Sequence, residues 1–163
     1  MPATVPAPAT RRAAPPWWRS FVFAAAGLHR AYASERNLRV QAAAGWAVLG
    51  GALLVGLPAT DVGLLGVTIG AVLGMEAMNS AIEVTVDLVS PEPHPLARAA
   101  KDLGAGAVLA VSLGALAAGL GVFAPLGRLP HALWLGVRRE PVLAAAWLAG
   151  LLAGSPLARR RPQ

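Results

Sequence analysis

Three apolar runs constrain this chain more than any other feature. Gln41 to Leu57 is the first, a second begins at about Val62, and the third extends from Leu103 to about Ala124. The first is near the lower limit of the roughly 17–25 residues that cross a bilayer as a helix, and the third lies within that range. In hydrocarbon every backbone N–H and C=O must be satisfied within the segment, so runs of this length are read as helices. The composition agrees: the chain is 56% hydrophobic and 13% charged, with a mean hydropathy of +0.57. A soluble domain is about one quarter charged. The predicted class is an all-α membrane protein, and its 163 residues suggest one domain.

The second run ends in acids. Glu76-Ala-Met-Asn79-Ser80-Ala81-Ile82-Glu83-Val-Thr-Val-Asp87 follows directly on apolar sequence. At about 100° per residue, Asn79, Glu83 and Asp87 fall at about −60°, −20° and +20° from Glu76. Three carboxylates and an amide thus share one narrow stripe on an otherwise apolar helix. Such groups are costly beside hydrocarbon, and solvated helix-end caps do not need so many on one face, so the stripe is read as a functional site. Magnesium takes one or two carboxylates together with substrate phosphate oxygens, and a remaining carboxylate can accept a proton from a hydroxyl. A hard-cation site with a general base is the chemistry this pattern allows.

The flanking segments supply further polar groups. Residues 1–16 hold five prolines and many alanines without a period, and read as a disordered tail with no cleavable signal peptide. From Trp17 to about Arg39, aromatics alternate with arginines and histidine, which predicts an amphipathic helix in the interface plane. Its one acid, Glu35, either pairs with Arg39 at (i, i+4) or completes the metal site if that helix packs beside the second span. Pro58-Ala-Thr-Asp61 is predicted as a tight turn. The series Gly66, Gly70, Gly74 predicts a face for close helix packing, distinct from the polar stripe, with both faces turned from lipid. Ser90-Pro-Glu-Pro-His94-Pro95 breaks the helix. Lys101, the only lysine, precedes Asp102 at the mouth of the third run, where an ammonium suits a phosphate or snorkels to the interface. His94 reads first as an ordinary loop histidine, and His29 and His131 carry no role.

Six arginines precede residue 40 against one acid, and the 90–102 loop adds Arg98 and Lys101, whereas the 58–61 turn has no base. The positive-inside bias places the N-terminus and the 90–102 loop in the cytoplasm of a multi-pass cell-membrane protein, with the polar stripe on that side. Beyond Pro125 the pattern weakens. Residues 141–158 leave a fourth C-terminal hydrophobic helix open, and a span there would return Arg159-Arg160-Arg161 to the cytoplasm. The absence of cysteine excludes disulfides and thiolate metal sites. The charge of +6 fits anionic headgroups, and no nucleic-acid motif accompanies it. No Walker-type phosphate loop or protein-kinase catalytic loop is present.

Glu76-x-x-Asn79-Ser80-Ala81-Ile82-Glu83-x-x-x-Asp87 resembles the signature of the small prokaryotic diacylglycerol kinase/undecaprenol kinase family. Lys101-Asp102 after a loop with His94, and the upstream Glu35-Arg36-Asn37-x-Arg39, look like its other landmarks. The likeness covers roughly residues 17–124, a membrane lipid kinase domain followed by an extension over 125–163. It implies a homotrimer of three-span protomers with an N-terminal surface helix. The implied reaction moves the γ-phosphoryl of MgATP to the hydroxyl of a membrane lipid, diacylglycerol or undecaprenol. By the same resemblance Glu76 is the general base, Glu35 and Glu83 hold Mg2+, and Asn79, Asp87, His94, Lys101 and Asp102 order ATP. Gln41 departs from the pattern, standing where many undecaprenol-type relatives have His. Two rivals use the same residues. A transporter or proton relay would spread its polar groups across the membrane depth. A non-catalytic adaptor would use the stripe to bind a partner helix.

Overall fold

A computed structural model describes residues 16–127 and 129–154, so the expected N-terminal tail lies almost wholly outside the described residues. Six α-helices follow in order: α1 (Trp18–Ser34), α2 (Arg36–Val55), α3 (Ala59–Val89), α4 (Pro95–Phe123), α5 (Leu129–Arg139) and α6 (Pro141–Gly154). A 3-10 turn, Ala124–Leu126, leads out of α4. No strand occurs among the described residues. Three helical segments, Arg36–Val55, Ala59–Val89 and Pro95–Leu126, are long and apolar enough to cross a membrane.

Helix α1 buries no residue, and Trp17, Phe21 and Phe23 stand exposed beside Arg19, whose guanidinium lies 5.8 Å from the Phe23 ring centre. An exposed face of aromatics and arginines is what an interface helix presents to headgroups. The expected surface helix to Arg39 is shorter in the structure. Glu35 takes an extended conformation (φ −89°, ψ 119°), and Arg36 already starts α2. Arg39 makes the corner: its Nη1 donates to the carbonyls of Tyr32 (3.2 Å) and Ala33 (2.8 Å), capping the acceptors that the end of α1 leaves open. The guanidinium is thereby drawn to the backbone rather than to the Glu35 carboxylate.

At the far end of α2, Gly56 adopts φ +77°, and the amides of Gly56 and Leu57 return to the carbonyls of Leu53 and Ala52. This pattern ends a helix in a left-handed residue, which glycine adopts without a Cβ clash. The turn is therefore earlier and tighter than the expected 58–61: α3 begins at Ala59, with Pro58 before it and Asp61 in its first turn. A residue just before the first turn is where proline's fixed φ costs the helix nothing.

Helix α3 lies along α4 and α2, and the α5–α6 hairpin lies on α2. Leu65, Val72, Glu76 and Asn79 are the buried residues of α3. With Leu65 at zero, these fall within about 60° of one another, while Gly66, Gly70 and Gly74 lie at about 100–180°. The packed face and the polar face within the chain are therefore one face, and among the described residues nothing lies within 4 Å of where a Cβ would stand on the three glycines. The expected packing along Gly66–Gly74 is not made within one chain. The close approaches use other glycines: Gly45 under Ile69, Gly104 against Asn79, and Gly136 against the Leu54 backbone. Where lipid tails are as apolar as the helices, such approaches supply the packing that holds them together.

The hairpin is fixed by a reciprocal contact. The Trp46 indole donates to the Trp147 carbonyl (3.1 Å), and the Trp147 indole donates to the Ala47 carbonyl (3.2 Å). A Cβ at Gly50 would fall within the Trp147 ring, and one at Gly150 within the Trp46 ring. Residue 147 meets 47 and 50 while residue 150 meets 46, so α6 runs antiparallel to α2. At 14 residues, α6 is about 21 Å long against a hydrocarbon thickness of about 30 Å. It is a C-terminal hydrophobic helix shorter than a span, and the basic run 159–161 lies outside the described residues.

Candidate active site

The acids of α3 are graded by depth. Glu76 is buried at 4% exposure, Glu83 is half-buried, and Asp87 is exposed. Glu76 sits where α2 crosses α3, and its Oε2 accepts from Nε2 of Gln41 at 3.2 Å. Gln41 Oε1 is buried without a partner. An uncompensated buried acceptor costs about 1–3 kcal/mol, so a donor from a bound molecule would relieve it.

One turn on, Asn79 Nδ2 donates to Glu83 Oε1 at 2.7 Å. This contact spans four residues and realises the stripe expected from the helical period. Asn79 Oδ1 is buried and unpartnered, wedged against the backbone of α4 at Gly104. Only a residue lacking Cβ leaves that space. At the end of the stripe, Asp87 Oδ1 accepts from Lys101 Nζ of α4 at 2.5 Å. The ammonium is about one-third exposed, which leaves it accessible from the loop side.

The remaining candidates have hydrogen bonds or ion pairs outside these three pairs. Glu35 occupies the α1–α2 corner, half-buried, with the Ser34 hydroxyl donating to its Oε1 at 3.4 Å. His94 caps α4: its Nδ1 accepts from the Leu96 amide at 3.2 Å, and the ring is exposed. Asp102 lies 3.8 Å from Arg98 on the same helix, both well exposed. Next to this end of the molecule, Ser90–Pro95, Asp87, Arg98 and Lys101 line an open hollow of about 620 Å3.

Among the described residues, no three His, Asp or Glu side chains surround a common point. An all-protein cation cage does not fit these residues. A cation carried on phosphate oxygens does fit, since it needs only one or two carboxylates. Glu83 meets that need: one hydrogen bond from Asn79 leaves most of its acceptor sites open. Gln41 and Gly104 were not among the candidates drawn from the sequence. Gln41 was noted only as a departure from the family pattern, and Gly104 only as a glycine two residues after Lys101-Asp102.

Gln41 of α2, the Glu76–Asp87 stripe of α3 and Lys101-Asp102 of α4 thus gather at one end of the three long helices. Residues 22–123, well over half of the chain, match the family described as prokaryotic diacylglycerol kinase. The chain is 40% identical over 109 residues to the undecaprenol kinase of Bacillus subtilis, covering 67% of this chain and 89% of that protein. It is 42% identical over 101 residues to the diacylglycerol kinase of Synechocystis sp., covering 61% of this chain and 58% of that protein. No solved structure matches it. The extent of the family match, through the α3 stripe and Lys101-Asp102, makes this chain a member of the prokaryotic diacylglycerol kinase family.

Proposed function

We propose that this lipid kinase takes its phosphoryl group from MgATP and delivers it to the hydroxyl of diacylglycerol or undecaprenol at the cytoplasmic face of the membrane. Family membership makes it a lipid kinase. One observation carries the rest: a carboxylate, Glu76, is held almost fully buried among apolar helices with a single amide donor. A buried acid at that depth meets a lipid hydroxyl without leaving the interface.

In the reaction, the lipid oxygen attacks the γ-phosphorus and the bond to the bridging oxygen breaks, releasing ADP. Glu76 accepts the hydroxyl proton. Glu83, oriented by Asn79, and Glu35 at the helical corner would hold the metal. Magnesium, when bound, neutralises charge on the phosphates. Lys101 presents its ammonium to the phosphates, and Asp87 sets its position. Asp102 and His94 border the nucleotide on the loop side. Gathering of polar groups at one end of the helices supports this reading over a transporter, whose groups would be spread through the membrane. The arginines of the first 40 residues support the cytoplasmic side. The open Gly66–Gly74 face, with an α4 whose one buried residue is Gly104, supports assembly as a homotrimer.

Purified protein incubated with γ-labelled ATP and a panel of lipid alcohols tests this. Label is expected in a lipid monophosphate, only with magnesium present, and is lost in Glu76→Gln while MgATP binding persists. Normal turnover by that variant would remove Glu76 from the base role.

A further inference from the structure

An apolar groove of about 560 Å3 starts at Gln41, beside Glu76, and passes between α2, α3, α4 and the C-terminal hairpin. Gly51 lines it on α2, Gly119 and Phe123 on α4, and Leu133 and Trp147 on the hairpin. Its walls are almost wholly apolar. Its one orphaned polar atom is Gln41 Oε1, at the end next to Glu76. An occupant of the groove therefore has one end beside the Gln41–Glu76 pair and hydrocarbon along its length.

The position of the groove chooses between a lipid tail and a helix from a second copy. Its end at Gln41 adjoins Glu76, the acid proposed to take the lipid's proton, and from Gln41 to Gly51 it follows α2 for about 15 Å. A lipid whose hydroxyl meets Glu76 lays its tail along these apolar walls.

The hairpin wall lies beyond residue 123, where the family match ends. We propose that the α5–α6 hairpin walls the site for the apolar tail of the lipid alcohol, and that Leu133 and Trp147 set which tails this kinase accepts. The proposal rests on the lipid-kinase reading with Glu76 at the reacting end. The Trp46–Trp147 contact gives the wall its rigidity, because the indole that lines the groove is bonded to the α2 backbone.

Two variants and a cross-link test it. Gly119→Leu adds a side chain that meets no other atom at its Cβ and projects into the groove. It is expected to raise KM for a long-chain diacylglycerol about tenfold or more, with turnover of a short-chain analogue and KM for MgATP little changed. Leu133→Ala is expected to shift preference toward the bulkier polyprenyl alcohol. Equal losses on long and short chains, or no change on the long chain, would overturn the proposal. A lipid alcohol with a photoreactive group near its tail end is expected to label the peptide spanning 129–147 in the unaltered protein. Labelling confined to the outer faces of α3 and α4 would also overturn it. The cross-link needs no phosphoryl transfer. Hairpin labelling by a protein that phosphorylates no lipid would sink the kinase reading and leave the groove standing.

Discussion

Gln41 of α2 and Glu76 of α3 are joined across 3.2 Å by a single hydrogen bond from amide to buried carboxylate. The same bond ties two long helices together and fixes the orientation of the acid proposed to take the lipid's proton. A hydrogen bond to a charged group contributes about 1.5–3 kcal/mol, more than most pairwise contacts on these helices. Gln41→Leu is expected to lower kcat about tenfold to a hundredfold, with KM for MgATP unchanged. Gln41→His keeps a ring N–H donor and is expected to retain most activity. Steady-state kinetics on both variants measure this, and a rise in the MgATP KM as large as the fall in kcat would contradict it.

The Asn79–Gly104 contact makes a stability prediction. A methyl at residue 104 collides with Asn79 Oδ1, which is hemmed in by α3 and α4. Gly104→Ala is expected to destabilise the protein by about 1–3 kcal/mol through overpacking. Adding Asn79→Ala removes the obstructing oxygen and is expected to restore most of the thermal midpoint without restoring activity, because Glu83 then lacks its donor. Thermal unfolding in detergent, measured for the two single variants and the double, checks the coupling. Additive losses would show that the two residues do not meet.

These pairs also show how far the sequence can be read. The stripe from Glu76 to Asp87 was legible because helical periodicity is local: four residues on one helix need no tertiary information. Asn79 does bond Glu83. The three long helices were legible for the same reason, from apolar length. Gln41 and Gly104 were not, since their importance depends on how α2 and α4 rotate against α3. The Gly66–Gly74 series was assigned to packing without saying against what, and within one chain α3 packs on the face that carries its acids. The break at Glu35 has no proline or glycine to announce it. It is made by Arg39 reaching back to carbonyls six and seven residues earlier.

Lys101 and Asp87 separate stability from function. Their side chains are 35% and 66% exposed, and pairs so solvated contribute about 0–1 kcal/mol. Lys101→Gln is therefore expected to leave the thermal midpoint within a few degrees while raising KM for ATP about tenfold, through loss of a charge-assisted bond to phosphate. Asp87→Asn is expected to do the same more weakly. Added salt should raise the unaltered protein's KM for ATP, since this ammonium is reachable by counterions. A large stability loss in Lys101→Gln with normal ATP affinity would make the residue a structural tie instead.

The hairpin lock gives the last test, and the absence of cysteine makes it clean. Ala144 on α6 is 3% exposed, so a thiol in Ala144→Cys is shielded while the hairpin stays seated. Gly50→Leu puts a side chain where the Trp147 indole lies and removes the seat. Maleimide labelling of Ala144→Cys is expected to be slow in the otherwise unaltered chain and about tenfold faster or more with Gly50→Leu added, as local opening replaces a packed contact. The hairpin touches the three long helices mainly through α2, so the Gln41–Glu76 bond and the α3–α4 pairs should survive the change. Phosphorylation of a short-chain lipid alcohol should then persist while selectivity among long tails is lost. Rapid labelling before Gly50→Leu is introduced would mean that the two tryptophans do not hold α6 against α2.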